Sequence, residues 1–94
     1  MRRFEKLNEI LEIPKEVVYK IPKITIIGFE ELYIENYNGI LEYEEFFIRI
    51  NTNIGNININ GFNLNLNEMK EDKIVVKGKL ENIDFEKKGI DDVF

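Results

Sequence analysis

Leu32-Tyr-Ile-Glu-Asn-Tyr-Asn-Gly-Ile-Leu-Glu-Tyr43 is the most informative stretch of this chain for predicting its fold. Apolar and polar residues alternate on both sides of Asn38-Gly39, a pattern typical of half-buried strands. A two-residue type I′ turn requires positive φ at both central positions, and Asn-Gly meets this requirement readily. The stretch therefore predicts a β-hairpin with residues 32–37 and 40–43 as its arms.

The period of two continues on both sides of this predicted hairpin. We expect further strands at 24–27, 46–52, 57–60, 64–66, 74–76 and 80–85, with turn residues between them, the last two being either separated or bulged at Gly78. The prediction is a mainly β chain, an antiparallel meander of seven or eight short strands that is rolled or sandwiched to bury its apolar face. Apolar-x-apolar-x-Gly recurs at 24–28, 57–61 and 74–78, so a short β-solenoid-like stack is the alternative.

The N-terminal segment has a different period. Residues 2–12 place apolar side chains at helical spacing, and these are Phe4, Leu7, Ile10 and Leu11. Pro14 would end this amphipathic helix because proline has no backbone amide to donate. We predict a helical segment over 1–20 that packs on the sheet, an all-β domain over 21–86 and a flexible tail over 87–94. Docking of the helix on a partner or a membrane surface is the alternative.

Composition excludes several classes of protein. The chain has 94 residues, of which 44% are hydrophobic, no cysteine and a formal net charge of −5. This indicates one folded domain without disulfides, and the negative charge argues against binding to nucleic acid. No apolar run approaches the ~20 residues needed to span a bilayer, and no signal-peptide core follows the basic N-terminus. We therefore expect a soluble, cytoplasmic protein.

Catalytic equipment is scarce. There is no Ser, Cys or His to form a nucleophile and its base, and Thr25 and Thr52 lie within predicted strands. Glu35 and Glu42 could approach each other across the predicted hairpin as a hydrolase-type carboxylate pair, although solvated outer-face glutamates are the simpler interpretation. No acidic cluster has the spacing of a calcium loop. We predict that the protein is not an enzyme and has no metal site and no cofactor.

Residues 54–67 contain no charged side chain, and asparagine alternates there with aliphatic residues. Because charges normally protect the edge of a sheet, we predict that a partner strand or a second copy pairs with this segment, an ordinary solvated face being the alternative. Aromatic residues around the predicted hairpin extend this surface or pack a second small core. The predicted interaction surface consists of Tyr33, Glu35, Asn36, Tyr37, Tyr43, Asn58, Asn60, Asn63 and Asn65.

The order of these segments resembles the YabP/YqfC family of sporulation proteins, and is closer to its YqfC branch. The residues that carry the resemblance are Leu11–Val17, Ile21–Gly28, Leu32–Tyr43, Ile48–Ile50, Ile57–Gly61, Leu64–Leu66 and Ile74–Gly78. Ile-Glu-Asn-x-x-Gly-Ile-x-x-Tyr is the most specific part. Relatives often carry His where this chain has Tyr37, so the resemblance implies no role for an imidazole at that position.

The resemblance implies a non-enzymatic protein of the mother cell of an endospore-forming bacterium, active in development of the forespore and its cortex or coat. It implies a membrane-anchored sporulation protein as partner and a place at the forespore outer membrane through that partner. Self-association is the second option, and it rests on the uncharged segment 54–67 and not on the resemblance. We therefore predict a β-scaffold for protein–protein interaction. The alternative is a small β-roll that binds a ligand or glycan through Tyr33, Tyr37 and asparagine side chains.

Overall fold

The structure, a computed structural model, describes residues 20–88 as a single antiparallel sheet. Its six strands are β1 (Lys23–Ile27), β2 (Glu31–Glu35), β3 (Tyr37–Glu44), β4 (Phe47–Thr52), β5 (Gly55–Met69) and β6 (Lys73–Lys87). They lie in the order β1-β2-β6-β5-β4-β3. The predicted mainly β, antiparallel class is confirmed. The predicted N-terminal helix, and residues 89–94 of the predicted tail, lie outside the described residues.

The number of strands was predicted wrongly. Six strands replace the expected seven or eight because 57–60 and 64–66 are joined in β5, and 74–76 and 80–85 are joined in β6. The turn signals between them mark bends, where Asn63 has a φ of 53° and Gly78 a φ of 140°. A bulge bends a strand without ending its ladder, and the β5–β6 register shifts here. Because the paired strands are all antiparallel, the solenoid-like stack is also wrong.

The bend divides the sheet into two half-sheets. The first half-sheet contains β1, β2, residues 65–69 and residues 73–77. The second contains β3, β4, residues 55–60 and residues 82–87. One buried cluster joins the inward side chains of both, namely Leu32, Ile34, Ile74, Val76, Ile48, Ile50, Ile57 and Ile59. The sheet therefore folds over on itself, as predicted from strands whose side chains are apolar on one face only.

Glycine at the bend lets β5 and β6 approach closely. A Cβ on Gly78 would stand 2.6 Å from the carbonyl oxygen of Asn63 and 2.8 Å from Cα of Leu64. A Cβ on Gly61 would overlap the carbonyl oxygen of Lys79. Larger residues at either position would push the two strands apart.

The turns of the two short hairpins are hydrogen-bonded to this bend. The amide of Leu64 donates to the carbonyl oxygen of Glu45 over 2.7 Å, in the β3–β4 turn. The amide of Leu80 donates to the carbonyl oxygen of Phe29 over 2.9 Å, in the β1–β2 turn. The β1–β2 and β3–β4 hairpins are thus each fastened to one side of the long β5–β6 hairpin.

Asn38-Gly39 does not form the predicted hairpin turn. β2 pairs with β1 and β6, and β3 pairs with β4, so the two predicted arms are not neighbours. Instead, Asn36 connects β2 to β3 with a φ of 64°, and Gly39 lies inside β3 beside a shift in register. The hairpin prediction is wrong because one left-handed asparagine redirects the chain from one half-sheet to the other, which requires no reversal.

Candidate functional site

The outer face of the second half-sheet carries a cross-strand network that we call the amide ladder. Its side chains are Arg49 and Asn51 of β4, Asn56, Asn58 and Asn60 of β5, and Asn82, Asp84 and Glu86 of β6. In β4 and β5 these residues alternate with buried isoleucines, and in β6 they alternate with Ile83 and Phe85, so they point outward together. The strand register places Arg49, Asn58 and Asp84 side by side across the sheet.

Asn58 is the centre of the amide ladder and is only 6% exposed. Its Oδ1 accepts a hydrogen bond from Nε of Arg49 over 3.0 Å. Its Nδ2 donates to Oδ1 of Asp84 over 2.9 Å and to Oε2 of Glu86 over 3.1 Å. An amide can be buried at low cost only when its donors and acceptor are satisfied, and these three partners satisfy Asn58.

Glu86 is held in its ionised form by the ladder. Its Oε1 accepts from Nδ2 of Asn56 over 2.9 Å, and its Oε2 lies 3.1 Å from Nη2 of Arg49. Hydrogen bonds from Asn56 and Asn58, and then the charge of Arg49, lower the pKa of Glu86 from its ordinary value, while partial desolvation opposes them. A carboxylate stabilised in this way is a poor proton donor and a weakened base.

The pairing of β5 corrects one prediction about the uncharged segment. Residues 55–60 have ladder partners on both sides, in β4 and in β6. Strand addition at these residues is therefore wrong, because their main-chain groups are already used. The asparagines instead bond sideways to neighbouring strands, as Asn60 does when its Nδ2 donates to Oδ1 of Asn82 over 2.9 Å.

The C-terminal part of the same segment lies at and beyond the bend. Asn63 sits in the bend with positive φ, and Asn65 is exposed opposite Lys77. In the described ladders, residues 65–69 pair with β6 alone. The amide of Leu66 donates to the hydroxyl oxygen of Tyr43 over 3.2 Å, so this tyrosine reaches from β3 to the opposite half-sheet.

Tyr33 and Glu35 lie on the outer face of the first half-sheet. Nζ of Lys73 stands 5.7 Å from the ring centroid of Tyr33, whose hydroxyl donates to Oε1 of Glu31 over 3.3 Å. Glu35 lies opposite Lys73 in the ladder. The carboxylate pair considered from the sequence is not formed, because Glu35 is in β2 and Glu42 in β3, which belong to different half-sheets.

Asn36 and Tyr37 lie at the corner between the half-sheets. Nδ2 of Asn36 donates to the carbonyl oxygen of Ile21 over 3.1 Å. The backbone amide of Asn36 donates to the carbonyl oxygen of Asp72 over 2.7 Å. Tyr37 is 9% exposed, and its hydroxyl donates to the carbonyl oxygen of Lys70 over 2.8 Å. These residues join three chain segments. A buried Tyr37 ring offers no stacking surface, which disfavours the glycan-binding alternative.

The predicted interaction surface is therefore spread over several places. The nine residues divide among two outer faces, the corner, the bend and the inner side of β3, and the structure does not bring them together as one patch. Sequence reasoning missed the partners of Asn58 in the ladder, which are Arg49, Asp84 and Glu86. Their period-two positions place them outward, but only strand pairing reveals which of them are neighbours.

The edge strands are the remaining candidate site. β1 pairs only with β2 and β3 only with β4 in the described ladders, so each has one open side. Large apolar side chains are exposed along both, with Ile26 at 49% and Ile27 at 54% in β1, and Leu41 at 54% and Tyr43 at 49% in β3. Such exposure on an open edge marks a candidate contact surface.

Two further features are absent from residues 20–88. These residues hold no group of three or more acidic side chains that could bind a metal ion. They also form no helix of sufficient length and apolarity to cross a membrane.

Comparison with known proteins supplies the family. The model of the YabP family matches residues 20–91, which include the whole sheet. The chain belongs to the YabP family. This YabP-family chain is 32% identical over 75 residues to the uncharacterized protein YqfC of Bacillus subtilis (strain 168). The aligned residues cover 80% of this chain and 81% of the relative. No solved structure matches it. The predicted YabP/YqfC membership is confirmed, and with it the family's association with sporulation.

Proposed function

We propose that this YabP-family chain is a non-enzymatic β-scaffold that brings proteins together during development of the forespore and its cortex or coat. The observation that carries the proposal is the pair of open edge strands, β1 and β3, which lie at opposite ends of the strand order. A sheet with two open edges can bind two partners at once, because each edge offers unpaired main-chain donors and acceptors.

The partner in this proposal is a membrane-anchored sporulation protein. The chain would act in the mother-cell cytoplasm and be held at the forespore outer membrane by that partner. Main-chain pairing along an edge would supply affinity, and side chains such as Leu41 and Tyr43 would supply selectivity. Both are about half exposed, so a partner strand would bury apolar area that is now in water.

The state of the carboxylates supports a non-enzymatic role. Glu86 is bonded to two asparagine amides and an arginine. Glu35 and Glu42 lie on separate half-sheets. Hydrolysis by a carboxylate pair needs two carboxyl groups that face one substrate, and Glu35 and Glu42 do not meet that requirement.

Site-specific photocrosslinking in sporulating cells tests the interaction. A photoreactive residue at Leu41, on the open edge of β3, should crosslink to a membrane-anchored sporulation protein. The matched position is Glu71, which is exposed in the β5–β6 turn and should give no such product. Identical products from both positions, or none from Leu41 at any stage of sporulation, would contradict the proposal.

A replacement experiment tests the absence of catalysis. Cells in which the chain carries both Glu35→Gln and Glu42→Gln should form heat-resistant spores as efficiently as the parent. Neither change alters the shape of the side chain much, so stability should be close to that of the parent chain. A sporulation defect in the double variant, with unchanged thermal unfolding and unchanged self-association of the purified protein, would argue for a carboxylate-dependent reaction.

A further inference from the structure

We propose that copies of this chain add to one another head to tail, with β1 of one copy pairing antiparallel with β3 of the next. The inference rests on the proposed scaffold function and names one of its partners, a second copy of the chain, while the terminal copy keeps a free β3 edge for the membrane-anchored partner. β1 and β3 are at opposite ends of the strand order. Each copy would therefore use its β1 edge for one neighbour and its β3 edge for another, so the assembly can grow beyond two subunits.

The outward side chains of the two edges are complementary in charge. β3 carries Glu42 and Glu44 at outward positions, opposite Arg49 and Phe47 of β4. β1 begins at Lys23, which is exposed and points outward beside Glu35 of β2. An antiparallel register that sets Lys23 opposite Glu44 also sets Thr25 opposite Glu42. Opposite charges in such cross-strand pairs are stabilising.

The inward side chains match in the same register. Ile24 would lie opposite Tyr43, and both face the apolar side of their own sheet. The ladder between β3 and β4 leaves Leu41 as an extra residue between Ile40 and Glu42. If Leu41 is skipped in the same way, Ile26 lies opposite Ile40, which faces the core. Each of the five residues of β1 then lies opposite a β3 residue that points to the same side of the sheet, so the apolar faces of the two copies form one continuous face.

The competing strand pairs fit less well. Pairing of β3 with another β3 would bring Glu42 and Glu44 of both copies together, and like charges opposite each other are destabilising. Pairing of β1 with another β1 keeps the alternation but sets Lys23 opposite an uncharged residue, and it stops at a dimer. Among pairings of the two terminal strands, charge therefore selects the mixed β1–β3 contact.

The size of the contact predicts weak association. A pair of strands five residues long buries less than the roughly 1,200 Å² typical of stable complexes. Assembly should therefore rise with concentration, and it would be strengthened where a partner concentrates the chain at one surface.

Sedimentation velocity and light scattering on the full chain test this contact. The weight-average mass should rise continuously with concentration beyond that of a dimer. Lys23→Glu and Glu44→Lys should each weaken association, by about threefold to thirtyfold. The double variant Lys23→Glu with Glu44→Lys should restore it, because the pair is re-formed with its charges exchanged. Glu71→Lys, which makes the same change of charge as Glu44→Lys away from both edges, should associate like the parent.

Several results would overturn the inference. A mass that stops at the dimer and does not respond to Glu44→Lys would indicate β1–β1 pairing. A monomer at every concentration, or a double variant no better than the single ones, would exclude the β1–β3 contact. If crosslinking from Leu41 to a membrane protein persists in that case, the head-to-tail contact fails and the proposed function stands. Self-association with the predicted charge response but no crosslinked partner would support the head-to-tail contact and contradict the proposed membrane-anchored partner.

Discussion

Three glycine-to-alanine variants provide a graded test of the bend in the β5–β6 hairpin. Gly78 has a φ of 140°, and an added Cβ would stand 2.6 Å from a carbonyl oxygen of β5. Gly28 has a φ of 61° but no atom within 4 Å of the added Cβ. Gly39 has neither a positive φ nor a neighbour within 4 Å. The three positions thus separate backbone strain from steric conflict.

The expected losses follow from these two contributions. Gly78→Ala combines about 1–3 kcal/mol of backbone strain with about 1–3 kcal/mol for displacing β5, so we expect a loss of about 3 kcal/mol. Gly28→Ala should cost about 1 kcal/mol from left-handed geometry alone. Gly39→Ala should be neutral or stabilising by about 0.5 kcal/mol, because alanine restricts the unfolded chain.

Thermal and urea unfolding of the purified chain measure these differences. For a domain of this size about 1 kcal/mol corresponds to roughly 4–8 °C in Tm, so Gly78→Ala should unfold at least about 10 °C lower than Gly39→Ala. If Gly39→Ala were the most damaging of the three, Asn38-Gly39 would be a turn that requires positive φ, and the β3 described here would be wrong. Equal losses at Gly78 and Gly28 would show that β5 and β6 are not in close contact at the bend.

Three further variants test the corner, the amide ladder and the core. Asn36→Ala should lose about 2 kcal/mol through its left-handed φ and the lost hydrogen bond, and Asn36→Gly about 1 kcal/mol, as measured by thermal unfolding. The lowered pKa of Glu86 contributes stability above its ordinary pKa that is lost as the pH falls through the folded value. Glu86→Gln should therefore flatten the acid side of the stability–pH profile, and an NMR titration of Glu86 should shift upward in Asn56→Ala. Ile59→Ala, at a fully buried site, should cost about 3 kcal/mol in urea unfolding, whereas Ile27→Ala at a 54% exposed site should cost under about 1 kcal/mol.

Several features of the fold were accessible from the sequence because they are local. Period-two alternation placed most strands correctly and predicted which side of each is buried, as Ile48, Ile50, Ile57 and Ile59 show. The same alternation put Asn58 and Asn60 on the outer face. Family membership was also readable, since it depends on the order of residues alone.

The errors have one physical origin. A positive φ at asparagine or glycine is a local requirement that a turn, a bulge and a bend satisfy equally well. Asn38-Gly39 therefore predicts a reversal, whereas the chain changes direction at Asn36, and Gly78 bends β6 without ending it. Residues 54–67 were similarly ambiguous, because an uncharged strand suits an open edge as well as the interior of a sheet.

What the sequence alone determined is the pleated ribbon and its two faces, since the alternation of side chains is built into each strand. Which strands become neighbours was decided by tertiary structure, because pairing depends on how both long strands bend to bring two apolar faces into one core. That choice placed Arg49 and Glu86 beside Asn58 and left β1 and β3 with open sides. Both candidate sites of this YabP-family chain follow from distant segments meeting in the fold.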